Sequence, residues 1–230
     1  VAGDVAIGIV TGLASEVACL ARQRRVAQVV CAGASAARAR ALAGRLADAG
    51  CAGLVSFGLA GGLDPALATG ALLLPGAILA ADGRAYPTDE AWRRRLIAAC
   101  RGRWQQSVRD LAGCDVPVGD VAAKTALFAS TRAAATDMES HAVAEVAASH
   151  ALPLLVVRAI ADPACHRVPP WLDGLIDADG RPRLSILLAR LAAQPGDIVA
   201  LARLGRDAKR ALATLRGVAA LAGPRFAFDA

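Results

Sequence analysis

The 230-residue chain is 56% apolar, largely through alanine, and its formal net charge of +6 comes almost wholly from arginine. That length suits one α/β domain with a sizeable core, and no run of roughly 18 uncharged apolar residues is available for a membrane-spanning helix. Aromatics make up 3%, too few for a base-stacking platform, and no RNA-binding motif occurs, so nucleic acid is not an expected partner.

Strand and helix signals alternate from the start. Val5–Val10 predicts a buried first strand rather than a signal peptide, since Asp4 precedes it and no basic residue does. Thr11-Gly12 reads as a turn, and Ser15–Gln23 as a helix with Ser15 a candidate cap. Val26–Cys31 is a second strand, closed by Gly33. Ser35–Ala49 follows as a helix that Gly50 terminates. Gly53–Leu59 is a third strand, leading into a small-residue turn at Gly61-Gly62. Ala71–Ala80 contains a fourth.

Residues 82–90 read as a surface loop. Glu90–Leu111 reads as a helix whose Arg93, Arg94, Arg95, Arg101 and Arg103 form a solvated face. Val116–Val121 predicts a short strand, and a helix begins near Ala122. Met138–His150 is a further helix and Leu154–Ile160 a buried strand. After Pro163 and the Pro169-Pro170 crossing come Asp173–Arg183 and two helices, Leu184–Ala193 and Asp197–Ala222. The alternation predicts a three-layer α/β/α sandwich on a central sheet, one domain over 1–230.

Six cysteines are scattered without C-x-x-C spacing, which predicts neither a disulfide framework nor a zinc site and fits a reducing cytoplasm. The charged residues of 137–162 are more informative. Asp137, Glu139, Arg158 and Asp162 bracket a helix and a buried strand, and Arg158 and Asp162 emerge at the strand's C-terminal end. Ligands of open α/β sheets bind at that end, so these residues predict a site.

Three segments resemble the nucleoside phosphorylase superfamily. They are Ile7-Gly8-Ile9-Val10-Thr11-Gly12 with Glu16, then Ser56-Phe57-Gly58-Leu59-Ala60-Gly61-Gly62-Leu63 with Gly70. The third is Thr136-Asp137-Met138-Glu139-Ser140 with Val157-Arg158-Ala159-Ile160-Ala161-Asp162. Within that superfamily the chain is similar to the methylthioadenosine/S-adenosylhomocysteine nucleosidase branch. It is most similar to bacterial hopanoid-associated phosphorylases, through Ser56-Phe57-Gly58, the Asp-Met-Glu-Ser block and the tail Asp179-Gly180-Arg181-Pro182 to Arg206-Asp207.

The resemblance implies cleavage of the N-glycosidic bond of a 5′-substituted adenosine, such as adenosylhopane, with release of adenine. Glu139 would bind the ribose hydroxyls and Met138 pack on the ribose. Asp162 would assist protonation of purine N7, and Glu16 with Arg158 would serve the nucleophile. Ser56, Gly58, Ala60, Gly61 and Thr11 would line the substrate site. No metal or organic cofactor is implied, with inorganic phosphate open as co-substrate. Asp162→Asn is then expected to cut turnover by about two or more orders of magnitude with the fold intact.

The departures bear on the reaction. Ser56 stands where phosphate-using relatives commonly place an arginine, and Leu59 and Ala161 replace serines, so phosphorolysis and hydrolysis both stay open. The lost serines also leave open a non-catalytic nucleoside- or lipid-associated binding protein. A soluble methylthioadenosine/S-adenosylhomocysteine nucleosidase is the enzymatic alternative. Phe128 is in rough position for a purine-stacking aromatic but reads as core. His141, His150 and His166 read as solvated or core side chains. Arg203, Arg206 and Arg210 share one face of the last helix, which predicts either a charged outer face or peripheral contact with an anionic membrane. The resemblance also implies a homodimer or higher homo-oligomer.

Overall fold

A computed structural model describes residues 6–169, 174–193, 196 and 198–229. Ten strands form one mixed sheet: β1 (Gly8–Thr11), β2 (Gln28–Cys31), β3 (Leu54–Gly62), β4 (Leu72–Leu73), β5 (Ala77–Leu79), β6 (Ala85–Pro87), β7 (Gln106–Ser107), β8 (Leu111–Gly113), β9 (Ala135–Asp137) and β10 (Leu154–Asp162). The order is β6-β5-β8-β9-β3-β10-β4-β7, with β1 joining the first half of β3 and β2 lying beyond β1. β2, β1, β3 and β10 run parallel. β9 joins the second half of β3 antiparallel, pairing Gly61 with Thr136 and Gly62 with Ala135.

The helices are α1 (Ala14–Val17), α2 (Ala36–Asp48), α3 (Glu90–Ala99), α4 (Val121–Thr131), α5 (Ser140–Ser149), α6 (Leu184–Ala193) and α7 (Ile198–Ala222). They cover both faces of the sheet because its central strands are apolar on both. Leu54, Val156 and Ile160 pack with Ala39, Ala43 and Leu46 of α2 and Ala142, Val143 and Val146 of α5. Their strand neighbours Val55, Phe57, Leu155 and Val157 point the other way. Those pack with Trp92 and Leu96 of α3 and Ala211, Leu215 and Val218 of α7. Ser35 caps α2 through Arg38 N, and Gly50 follows its end at φ +82°. The α/β/α layering expected from the sequence is what the chain forms.

Several boundaries differ. The expected Thr11-Gly12 turn starts one residue later, since Thr11 completes β1. The helix at Ser15–Gln23 is one α-helical turn from Ala14 followed by two 3₁₀ turns, Ala18–Leu20 and Gln23–Arg25. Ser15 lies inside that turn and does not cap it; Glu16 accepts from the Gly12 and Leu13 amides just before the helix, and the Ala14 amide donates to the Gly180 carbonyl. Gly61 and Gly62 continue β3 instead of turning. Ala71–Ala80 is two strands broken at Pro75-Gly76, and the loop 82–90 contributes the edge strand β6.

The helix expected over Glu90–Leu111 stops at Ala99, where Gly102 sits at φ +72° and the Gln106 amide donates to the Cys100 carbonyl. Val116–Val121 is loop up to Asp120, which caps α4, so the strand lies earlier, at β8. Val5, Asp173 and Asp197 lie outside the described residues, as does Pro170. All six cysteines are free thiols. Among the described residues no helix is long and apolar enough to cross a membrane.

Candidate active site

Because β1, β3 and β10 are parallel, their C-terminal ends meet on one edge of the sheet. A cavity of about 260 Å³ opens there. Gly12, Leu13 and Glu16 reach it from β1 and α1, and Leu59, Ala60 and Gly61 from β3. Thr136, Asp137, Met138 and Glu139 come from β9 and the turn after it, and Ala161 and Asp162 from β10. Val116, Pro117, Val118, Gly119 and Val168 supply an apolar wall from two loops. The Val168 amide donates to the Gly119 carbonyl at 2.9 Å and ties those loops together.

Glu16 is almost fully buried. One carboxylate oxygen accepts from the backbone amides of Gly12 (2.8 Å) and Leu13 (2.9 Å), and the other from that of Leu59 (2.8 Å). Burial pushes its carboxyl above the ordinary glutamate range, against Arg158 and those three amides. Glu139 follows β9. Burial raises its carboxyl to about 8, opposed by Arg158 and reinforced by Asp137 and Glu16. Asp162 is raised by burial as well, with Lys124 the main opposing influence.

Arg158 lies beneath this group and is 1% exposed. Its Nη2 donates to Ser56 Oγ (2.7 Å) and Ser140 Oγ (3.0 Å) and pairs with Asp137, with Glu139 at 3.7 Å. Burial works against its charge, but Asp137, Glu139 and Glu16 together hold its pKa above the usual value. Asp137 also accepts from the Ser140 amide and hydroxyl, so it anchors the start of α5.

Three glycines admit these side chains. A Cβ at Gly12 would lie 2.6 Å from Glu139 Oε1, and one at Gly61 would lie 3.2 Å from Asp162 Oδ2. One at Gly58 would overlap Arg158 Nη1 and stand 2.7 Å from Glu16 Oε1. A register shift between Ile160 and Asp162 pairs Asp162 with Gly61, re-aiming the strand end as bulges do. Gly58→Ala therefore meets two buried charged groups that have no free space. We expect it to lower the melting temperature by several degrees and to remove activity, as read by thermal denaturation and turnover together.

Of the residues expected at the site, Glu16, Met138, Glu139, Asp162, Ala60 and Gly61 share the cavity wall. Thr11, Ser56, Gly58 and Arg158 do not; they lie behind it. The Thr11 hydroxyl donates to the Val30 carbonyl, and Ser56 is held between Arg158 and Ser140, so their donors are already engaged. Phe128 packs against the cluster of Leu63, Ala112 and Ala133, away from the cavity, with Arg109 and Arg132 over its ring. His141 pairs with Asp115, His150 with Asp48, and His166 with Asp207 of α7.

Asp137, which the sequence places at the site without a role, pairs with Arg158. One participant escapes the sequence reading. Lys124, fully buried on α4, donates to Asp162 Oδ2 at 2.5 Å. A signal for it existed: the chain has 24 arginines and only two lysines, and Lys124 interrupts an otherwise apolar helical turn.

The raised carboxyls have a consequence for stability. A carboxyl whose folded pKa lies above its unfolded value contributes stability below the unfolded value and loses it as pH rises through the folded one. For Glu139 that window runs from 4.5 to about 8. Glu139→Gln should therefore melt higher than the parent at pH 8.5 and no higher at pH 5. Equal differences at the two pH values would contradict this burial cost.

Fold and site together define an α/β protein with a carboxylate-lined cleft, suited to a small ligand that carries or develops positive charge. The chain belongs to the phosphorylase superfamily, whose family model matches residues 7–193. Among solved structures it is similar to the 5′-methylthioadenosine/S-adenosylhomocysteine nucleosidase of Neisseria meningitidis in complex with methylthio-immucillin-A. That match has a TM-score of 0.71 and 14% identity, and covers 94% of this chain and 98% of that one. A Helicobacter pylori nucleosidase mutant with 5′-methylthioadenosine in its active site matches with TM-score 0.65 and 16% identity, over 82% and 98% of the two chains. The futalosine hydrolase of Helicobacter pylori matches at 0.60 and 17%, over 68% and 87%. These likenesses establish the fold. No curated protein sequence matches the chain.

Proposed function

We propose that this protein hydrolyses the N-glycosidic bond of a 5′-substituted adenosine and releases adenine. The observation that carries this reading is the convergence of Glu16, Glu139 and Asp162 on one cavity, with Arg158 beneath it. Cleavage builds positive charge on the ribose and negative charge on the base. Glu139 accepts hydrogen bonds from the ribose hydroxyls through its carbonyl oxygen. Asp162 protonates the purine at N7. Glu16, fixed by three backbone amides, orients the attacking water with its remaining lone pairs. Arg158 holds the carboxylates in place from behind and balances their charge.

Water is favoured over phosphate by the charge of the wall. Among the described residues, four carboxyl groups line the cavity and no Lys or Arg does, so an entering phosphate would find no cation there to hold it.

For the 5′ group, the sequence resemblance favours adenosylhopane. At the start of α7, Ile198 and Val199 are 53% and 69% exposed, with Arg203, Arg206 and Arg210 exposed along the same helix. That combination fits a cytoplasmic homodimer resting on an anionic membrane surface, with the lipid tail leaving through the cavity mouth. A second reading, a methylthioadenosine/S-adenosylhomocysteine nucleosidase, is favoured by the small cavity and by the nucleosidases that share this fold.

Adenine release from 5′-methylthioadenosine and from an adenosyl lipid mimic in vesicles, with and without phosphate, tests all of these. Release from the lipid mimic alone supports the hopanoid reading, and efficient cleavage of methylthioadenosine supports the second. Binding without adenine release would refute catalysis, and a requirement for phosphate would refute hydrolysis.

A further inference from the structure

Lys124 is 0% exposed, and its partner Asp162 is 16% exposed, towards the cavity. The ammonium has three N–H bonds and three acceptors: Asp162 Oδ2 at 2.5 Å, the His166 carbonyl at 3.0 Å and the Pro163 carbonyl at 3.2 Å. Only one of the three is charged. If the proton between Nζ and Oδ2 moves to the aspartate, the amine keeps two N–H groups on the two carbonyls. Its lone pair then accepts from the new carboxylic acid. Every polar atom is satisfied in both states, and the transfer cancels two charges in a buried site. The same three acceptors satisfy the ammonium; what marks the pair as a proton relay is that Asp162 opens to the cavity while Lys124 does not.

We propose that Lys124 and Asp162 share one exchangeable proton, and that Lys124 supplies the proton which Asp162 delivers to the departing purine. This rests on the glycosidic cleavage proposed above. As the bond from the anomeric carbon to N9 breaks, its electron pair goes to the purine, and the Asp162 carboxyl proton goes to N7. The Nζ proton has passed to Asp162, so the pair is left as a neutral amine and a carboxylate. Water then bonds to the anomeric carbon and loses a proton, which returns to the pair through the cavity-facing oxygen of Asp162. One proton leaves and one returns per turnover. Lys124 is thus a positioning residue that acts through Asp162 and does not touch the substrate.

The pH profiles of Lys124→Met, Lys124→Gln and Lys124→Arg test this, on two substrates. One is 5′-methylthioadenosine, or the adenosyl lipid mimic if only that is cleaved. The other is a riboside with a 4-nitrophenolate leaving group, which departs without protonation. In the Met and Gln variants Asp162 loses its cation and holds its own proton in acid. Adenine release should then stay near the parent rate at pH 5.5 and fall about 10²-fold at pH 8.5. The Arg variant keeps the charge but cannot give up a proton, so Asp162 stays ionised and release falls about 10²-fold at every pH. All three should retain nitrophenyl riboside cleavage within about threefold, which also reports an assembled site.

The Gln variant, with amide N–H groups for the two carbonyls, guards against a packing failure of the Met variant. Parent-like adenine release by the Arg variant, parallel losses on both substrates, or unchanged profiles in the Met and Gln variants would each overturn the inference alone. Absence of adenine release by the parent enzyme would overturn the proposed function, and this inference with it.

Discussion

Asp162→Asn is expected to lower adenine release by about 10²- to 10⁴-fold and also to destabilise the protein. Read from the sequence, the substitution leaves the fold intact. The structure argues otherwise, because Lys124 is buried and, among the described residues, Asp162 is its only anionic partner. Removing one member of a buried pair typically costs about 3–5 kcal/mol, and the opening of Asp162 to the cavity places this case near the lower end. A loss of ~3 kcal/mol in a chain of this size lowers the melting temperature by roughly 6–12 °C.

The double substitution Asp162→Asn with Lys124→Met removes both charges. It should recover most of the lost melting temperature and none of the turnover. Thermal melts and adenine release on the three variants separate the two effects. If Asp162→Asn melts with the parent, Lys124 carries no buried charge that needs Asp162.

Arg158→Met is expected to have the largest effect on stability. Arg158 lies amid Asp137, Glu139 and Glu16, and all four residues are buried. Without the guanidinium, three carboxylates share a site that cannot solvate them. The loss should be at least about 3–5 kcal/mol near neutral pH, enough to unfold a marginal protein. It should depend on pH in a defined direction. Burial already raises Glu16 and Glu139, the latter to about 8, and removing Arg158 raises them further. Such groups contribute stability below about pH 4.5 and lose it as pH rises through their folded values. The melting-temperature gap between parent and variant should therefore widen once pH rises past about 8, where Glu139 ionises in the folded parent but not in the folded variant. A gap independent of pH would mean that lost packing, not uncompensated charge, is the cause.

What could be read from the chain beforehand was whatever has a local pattern. The apolar runs at Val55–Phe57 and Leu154–Val157 point to a sheet covered on both faces, and Ser35 and Gly50 mark the ends of α2. Glu139 and Asp162 could be placed because their motifs resemble those of the superfamily, and Asp162 also because it ends an apolar strand. Elements set by distant partners were not legible. β7 and β8 span two or three residues and exist only through pairing. Gly61 and Gly62 look like a turn by composition, yet they extend β3, and the missing side chain at Gly61 leaves room for Asp162, as that at Gly58 does for Arg158 and Glu16. Arg158 could be placed at the strand end but not oriented, and the structure points it inward to Ser56, Ser140 and Asp137. Lys124 comes to Asp162 across 38 positions of sequence, and one lysine in an alanine-rich helix has no local feature that fixes its partner.

Product analysis after turnover in H₂¹⁸O with phosphate present is the most direct experiment. With a 5′-substituted adenosine as substrate, it should give free adenine and a sugar carrying one ¹⁸O at the anomeric carbon. A sugar 1-phosphate, or no adenine at all from any such nucleoside, would contradict a carboxylate-lined cleft that sends water to a ribosyl cation.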